Sequence, residues 1–117
     1  MAIQVLVHTD NHIKGNDGLS TRIETEVDAT LERFAREITR VEVHLHDLNA
    51  NKHGIDKRCL MEARLAGHQP IAVSHDAESV DQAVTGAVDK LEKALDHTID
   101  KLTKHKGRMS MGGEHLI

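Results

Sequence analysis

The sequence predicts an α+β fold in two layers, ordered β-α-β-β-β-α, with a four-stranded mixed sheet and two helices packed on one face. Three observations carry that expectation. Four short stretches alternate apolar and polar residues with period two, two longer ones carry apolar residues at threes and fours, and polar or glycine-containing loops separate them.

The first strand is "AIQVLVH" (2–8), with Ile3, Val5 and Val7 on one face and Gln4, Leu6 and His8 on the other. The loop "TDNHIKGNDG" (9–18) leads to a helix capped at Ser20 or Thr21, with Glu24 at capping-box spacing from Thr21. Leu19, Ile23, Val27, Leu31, Phe34 and Ile38 form its apolar stripe. A second strand at 41–46 turns Val41, Val43 and Leu45 one way and Glu42, His44 and His46 the other. After a polar loop at 47–56, a third strand (57–66) points Cys59, Met61, Ala63 and Leu65 inward, with Leu60 out of pattern. "PIAVSH" (70–75) is the fourth strand, opened by Pro70 at a strand end. The closing helix runs over about 77–105 from a cap at Asp76 or Ser79. Val80, Val84, Ala87, Val88, Leu91, Leu95, Ile99 and Leu102 form its stripe, and Gly107 is its stop. A right-handed β-α-β crossover makes the first two strands parallel, and short connections make the rest antiparallel. The expected organisation is one domain over 1–106 and a loose tail over 107–117.

Composition narrows the function. The formal charge is −4, so bulk electrostatics advertise neither a nucleic-acid nor a membrane partner. Cys59 is the lone cysteine, which excludes an internal disulfide and fits a reducing, cytoplasmic setting. No apolar run approaches a membrane span, and "MAIQVLVHTD" has neither a basic leader nor a cleavage site. Phe34 is the only residue among Phe, Trp and Tyr, so there is no aromatic platform for stacking unpaired bases. Any RNA contact would run through phosphate and shape.

The closing helix divides into three stripes at about 100° per residue. Lys90, Lys93, His97, Lys101 and Lys104 form one, Asp89, Glu92, Asp96 and Asp100 the next, and the apolar residues the third. From Lys90 to Arg108 there are six basic and three acidic residues, whereas Asp76 to Asp89 holds four acidic residues and no Lys or Arg. Two readings stay open. Acids early and bases late complement the helix dipole, and Asp89–Lys93 and Asp100–Lys104 are ordinary i,i+4 pairs, which describes a solvated face. The stripe by itself favours that reading, and the other is that the same row of ammonium groups is a phosphate-contacting edge.

Histidines are the other conspicuous feature. His44 and His46 share a strand face, and His8 joins them if the first two strands are neighbours. These three are weak metal candidates on what is chiefly a wet sheet face, and no metal or other cofactor is expected. His75 falls on the inward parity and His53 in a loop. Cys59 shares the parity of core residues, Gly15 and Gly18 lack a P-loop sequel, and no nucleophile, base and orienting group assemble. An enzyme or a small-molecule substrate is not expected.

In its element order, in "IETEVDATLERFAREITRVEVHL" and in the Lys-rich "AVDKLEKALDHTIDKLTKHKG", the chain resembles the bacterial ribosome hibernation-promoting factor and ribosome-associated inhibitor A family over roughly residues 2–108. The resemblance implies a stress or stationary-phase translation inhibitor. Such a factor binds the small ribosomal subunit and its rRNA where messenger and transfer RNA sit, and catalyses no reaction. It also implies that RNA contacts fall to Lys90, Lys93, Lys101, Lys104 and Lys106, with Arg33 and Arg36 on the first helix. The chain could also pair as a homodimer. The alternative is a diverged protein-interaction or metal-responsive module that keeps the fold and has left the ribosome.

Overall fold

The computed structural model describes residues 3–10, 17–48 and 55–111, with the side chains of the last helix described as far as Lys101. The chain runs β1 (Val5–Thr9), α1 (Asp17–Leu31), a 3-10 turn (Glu32–Phe34), β2 (Ile38–Asp47), β3 (Lys57–Leu65), β4 (Ile71–Ala77) and α2 (Val80–Met111). The strands form one sheet in the order β1-β2-β3-β4. β1 is parallel to β2, and the other two pairings are antiparallel, as expected. Both helices cover one face, with α1 against β1 and α2 over β3 and β4, and the helices touch each other.

Alternation decides which face is covered. Val41, Val43 and Leu45 of β2 and Cys59, Met61, Ala63 and Leu65 of β3 are buried beneath the helices. From the helices come Leu19, Ile23, Val27 and Leu31, then Ala83, Val84, Ala87, Val88, Leu91 and Leu95. Leu60, of opposite parity, lies exposed on the uncovered face.

Three boundaries differ from expectation. Helix α1 begins at Asp17, ahead of Ser20 and Thr21, because an Asp–Gly start is tolerated where the first-turn backbone is only half committed. It ends at Leu31, and the chain passes through the 3-10 turn into β2 at Ile38. All six stripe residues are nevertheless buried. Phe34 reaches the core from the turn and Ile38 from the strand, where it pairs with Leu65. Helix α2 is capped at Ser79, whose Oγ accepts the Gln82 N–H at 3.1 Å, and continues through Gly107 to Met111. The first five residues of the expected loose tail are thus helical backbone, and 112–117 lie outside the described residues.

Local bonds fix the rest. The Ile3 N–H donates to Asp28 Oδ1 at 2.9 Å, tying the chain start to α1. The Asp47 N–H donates to Asp10 Oδ2 at 2.9 Å, which closes the end of the parallel pair. Gly67 turns the chain from β3 to β4 at φ +68°, where any side chain would be strained.

Candidate nucleic-acid interface

The apolar stripe of α2 is held down on β3 and β4, so the helix cannot choose which residues it presents. Lys90, Lys93, His97 and Lys101 are all exposed. Lys90 reaches down to the sheet edge, its Nζ donating to the Ser74 carbonyl at 3.0 Å. Lys93 Nζ sits 3.3 Å from Asp89, the i,i+4 partner on its own helix. Lys101 makes no ion pair among the described residues. Lys104 and Lys106 lie on the backbone of α2, beyond the described side chains.

Two members of the acidic stripe, Glu92 and Asp96, reach the 3-10 turn that follows α1, whereas Asp89 stays with Lys93. Arg33 places Nη1 3.1 Å from Asp96 and Nη2 3.6 Å from Glu92. Its guanidinium also stacks on Phe34, 4.2 Å from the ring centroid. Arg22 pairs with Asp81 at 3.1 Å, and Thr85 Oγ1 donates to Glu26 at 2.9 Å. The seam between the helices is therefore a line of opposite charges that pair with each other. The lysine row lies on the far flank of α2, over the β4 edge.

Among the seven residues implied as RNA contacts, Lys90, Lys93 and Lys101 thus share one exposed flank. Arg33 is not with them, because the Glu92 and Asp96 carboxylates hold it in the seam. Arg36 is exposed beyond the 3-10 turn, on the α1 side. On α1, Asp28 accepts the Ile3 N–H and Glu26 accepts from Thr85, both neutral donors, so the two carboxylates keep their negative charge.

The histidines separate. His8 and His44 are register partners across β1 and β2, and their rings stack with centroids 4.7 Å apart and planes 14° apart. His46 turns away, with Nδ1 3.9 Å from Asp10. His53 lies outside the described residues, and His75 packs inward against Gly86 of α2. Sequence reasoning placed Glu42 on the same face without giving it a role. Its Oε1 is 3.6 Å from His44 Nε2 and 4.0 Å from His8 Nε2, while its Oε2 is bonded to the Arg40 guanidinium at 2.8 Å. Burial would raise the Glu42 carboxyl, but the Arg40 hydrogen bond and the charges of Arg40, Arg64 and His44 outweigh it and hold the pKa below the usual range. Cys59 has its thiol pushed up to about 12, chiefly by burial and then by the charge of Glu26. It is a core residue, as its parity implied.

The fold defines a class: a small two-layer α+β protein with both helices on one face of a mixed sheet. It is shared with the crystal structure of the Thermus thermophilus Protein Y N-terminal domain, at a TM-score of 0.65 and 23% identity, covering 84% of this chain and 99% of that one. A ribosomal subunit interface protein from Coxiella burnetii matches at a TM-score of 0.66 and 18% identity, with the same coverage of 84% and 99%. No curated protein matches by sequence. The chain belongs to the sigma 54 modulation protein / S30EA ribosomal protein family, whose model matches residues 6–109. The resemblance read from the sequence is thus correct at the level of the family, which is one of ribosome-associated modulation factors.

Proposed function

We propose that this protein is a cytoplasmic hibernation factor that binds the small ribosomal subunit and blocks translation by occupying rRNA surface needed by messenger and transfer RNA. The observation that carries this reading is the one-sided row of exposed ammonium groups at Lys90, Lys93 and Lys101. Among the described residues, no carboxylate of α1 pairs with any of the three. Lys104 and Lys106 extend the row along the helix by position, and Arg36 adds a cation on the α1 side. Arg33 contributes little, because its charge is already balanced by Glu92 and Asp96. Recognition is by phosphate and shape, since the chain has no Trp or Tyr and its one Phe is buried. The protein acts by occupancy and turns over no substrate.

Sedimentation with purified small subunits across a salt series tests the reading. Each phosphate contact contributes a salt slope of about −0.7 to −0.9, so Lys93→Glu with Lys101→Glu should flatten the slope by roughly 1.4 to 1.8 and weaken binding at low salt. Arg33→Ala should change the slope by much less. Co-sedimentation of the double variant indistinguishable from the parent at every salt concentration rejects the lysine row as the contact.

A further inference from the structure

The uncovered face of the sheet carries a group of side chains that the ribosomal reading does not use. His8, Glu42 and His44 bring one imidazole nitrogen each and one carboxylate oxygen within 4.8 Å of one another. We propose that these three residues form a binding site for a borderline divalent transition metal, with Zn²⁺ the natural occupant by chemistry.

Three features argue for a cation instead of a simple hydrogen-bonded cluster. The Glu42 Oε1 distances of 3.6 and 4.0 Å are too long for hydrogen bonds to the imidazoles. They are close to the edge of a tetrahedron, about 3.3–3.5 Å, around a metal with bonds of about 2.0–2.1 Å. The two Glu42 edges need to contract by only a few tenths of an ångström, while the His8 and His44 rings, stacked at 14°, must turn about their side-chain bonds so that both in-plane nitrogen lone pairs meet on the ion.

The orientation of the carboxylate is set independently. Arg40 donates to Oε2 from Nε at 2.8 Å, and Arg64 Nε lies 3.5 Å from the same oxygen. Oε2 is therefore engaged, and Oε1 is left directed between the two imidazoles. Orientation of a ligand by hydrogen-bonded neighbours is what a metal site requires. Arg64 also approaches Glu62 at 3.4 Å, so one of the two guanidinium charges beside the ligand is offset by a second carboxylate.

The donor set selects the ion. Two imidazole nitrogens and one carboxylate oxygen suit Zn²⁺, Ni²⁺ or Cu²⁺, and are poor in oxygen for Ca²⁺ or Mg²⁺. His8 is about half exposed, with 52% of its side chain accessible, so remaining coordination positions open to water. His8 lies on the edge strand β1 and His44 on β2, so a bound ion would cross-link the parallel pair. The site is on the face opposite α2, and its existence does not depend on the lysine row.

The test uses the full chain, stripped with chelator and dialysed, then titrated calorimetrically with Zn²⁺. Histidine ring resonances are followed by NMR in parallel. The expected result is one saturable equivalent that shifts the His8 and His44 rings together and raises the thermal unfolding midpoint. His8→Ala and His44→Ala should each weaken binding by at least about tenfold, since even loss of a group that only orients a ligand costs that much. His46→Ala, on the same face but turned toward Asp10, should bind as the parent does. Far-UV circular dichroism establishes that each variant is folded. Absence of saturable Zn²⁺ binding, or affinity retained within twofold in both His8→Ala and His44→Ala, overturns the proposal.

Discussion

Replacing Gly86 with alanine perturbs the contact that sets how α2 seats on the sheet edge. A Cβ built at Gly86 would overlap the Cδ2, Nε2 and Cγ atoms of the His75 imidazole, which packs on the helix from β4. Two opposing effects follow. Gly→Ala within a helix is worth roughly 0.8–1.0 kcal/mol in backbone propensity. Forcing the ring out of its place, or the helix off the strand, costs about 1–3 kcal/mol as overpacking. The net change for Gly86→Ala is then a destabilisation of about 0–2 kcal/mol. In a His75→Ala background the obstruction is gone, and the same change should stabilise by about 1 kcal/mol. The double-mutant cycle should therefore give a coupling of about 1–3 kcal/mol. Urea unfolding followed by far-UV circular dichroism reads it, because the chain has no Trp or Tyr for fluorescence. Additive free-energy changes, or full stabilisation by Gly86→Ala alone, would refute the steric argument.

Two further outcomes concern the core and the sheet edge. Cys59 is fully buried with its pKa near 12, so the native protein should not react with a disulfide reagent at pH 8, and labelling should follow the unfolding rate. Rapid labelling of folded protein would contradict that placement. Arg58 donates to both oxygens of Asp76, at 2.8 and 3.1 Å, and that hydrogen bond is the main reason the Asp76 carboxyl titrates below its ordinary value of 3.8. A depressed carboxylate contributes stability that is present above its ordinary pKa and disappears as pH falls through the lower folded-state value. Asp76→Asn should accordingly lose stability at neutral pH and lose less than the parent on acidification below pH 4. Parallel melting curves for the two proteins down to pH 2 would show that the pair contributes nothing.

The order of elements and the inward residues were legible because burial imposes a period on each element. Positions where two periods agree were not. Leu31, Phe34 and Ile38 follow at spacings that suit a continued helix, and "ERFARE" contains no Gly or Pro to interrupt it. The core needs the same side chains whether the backbone stays helical or turns into β2, so the pattern cannot distinguish the two. The left-handed conformation at Gly67 follows from its residue type once the turn is seen. Gly107 was not, since a glycine can also be carried inside a helix at a cost of about 1 kcal/mol. The lysine row was visible from helical spacing, whereas the side of α2 on which α1 lies is a tertiary fact. That fact decides that Arg33 faces acids and Lys101 does not. For the same reason His8 and His44 could be put on one face from alternation, but the division of Glu42 between guanidinium groups and imidazoles depends on the register of three strands.

The net charge of −4 suggests a protein unsuited to a polyanion, and on the proposed reading the arrangement of the charges meets that objection. Many of the carboxylates are already engaged. Glu42 is held by Arg40 and Arg64, Asp76 by Arg58, Glu92 and Asp96 by Arg33, and Asp81 by Arg22. Such pairs present little net field at a distance. A helix with its side chains is about 10–12 Å across, and the Debye length at physiological salt is about 8 Å. Acids in the middle of the uncovered sheet face lie across the sheet from a phosphate along the outer flank of α2, whereas Asp76 at the β4 edge is near enough to feel the Lys90 charge. What that phosphate meets is set by the groups within a few ångströms: Lys90, Lys93 and Lys101, with Asp89 the nearest described carboxylate to Lys93. Asp89→Asn should therefore strengthen association with small subunits more than neutralising Glu62 on the opposite face, although both raise the net charge by one. Equal effects of the two substitutions would mean that total charge governs binding, and that the lysine row has no special part in it.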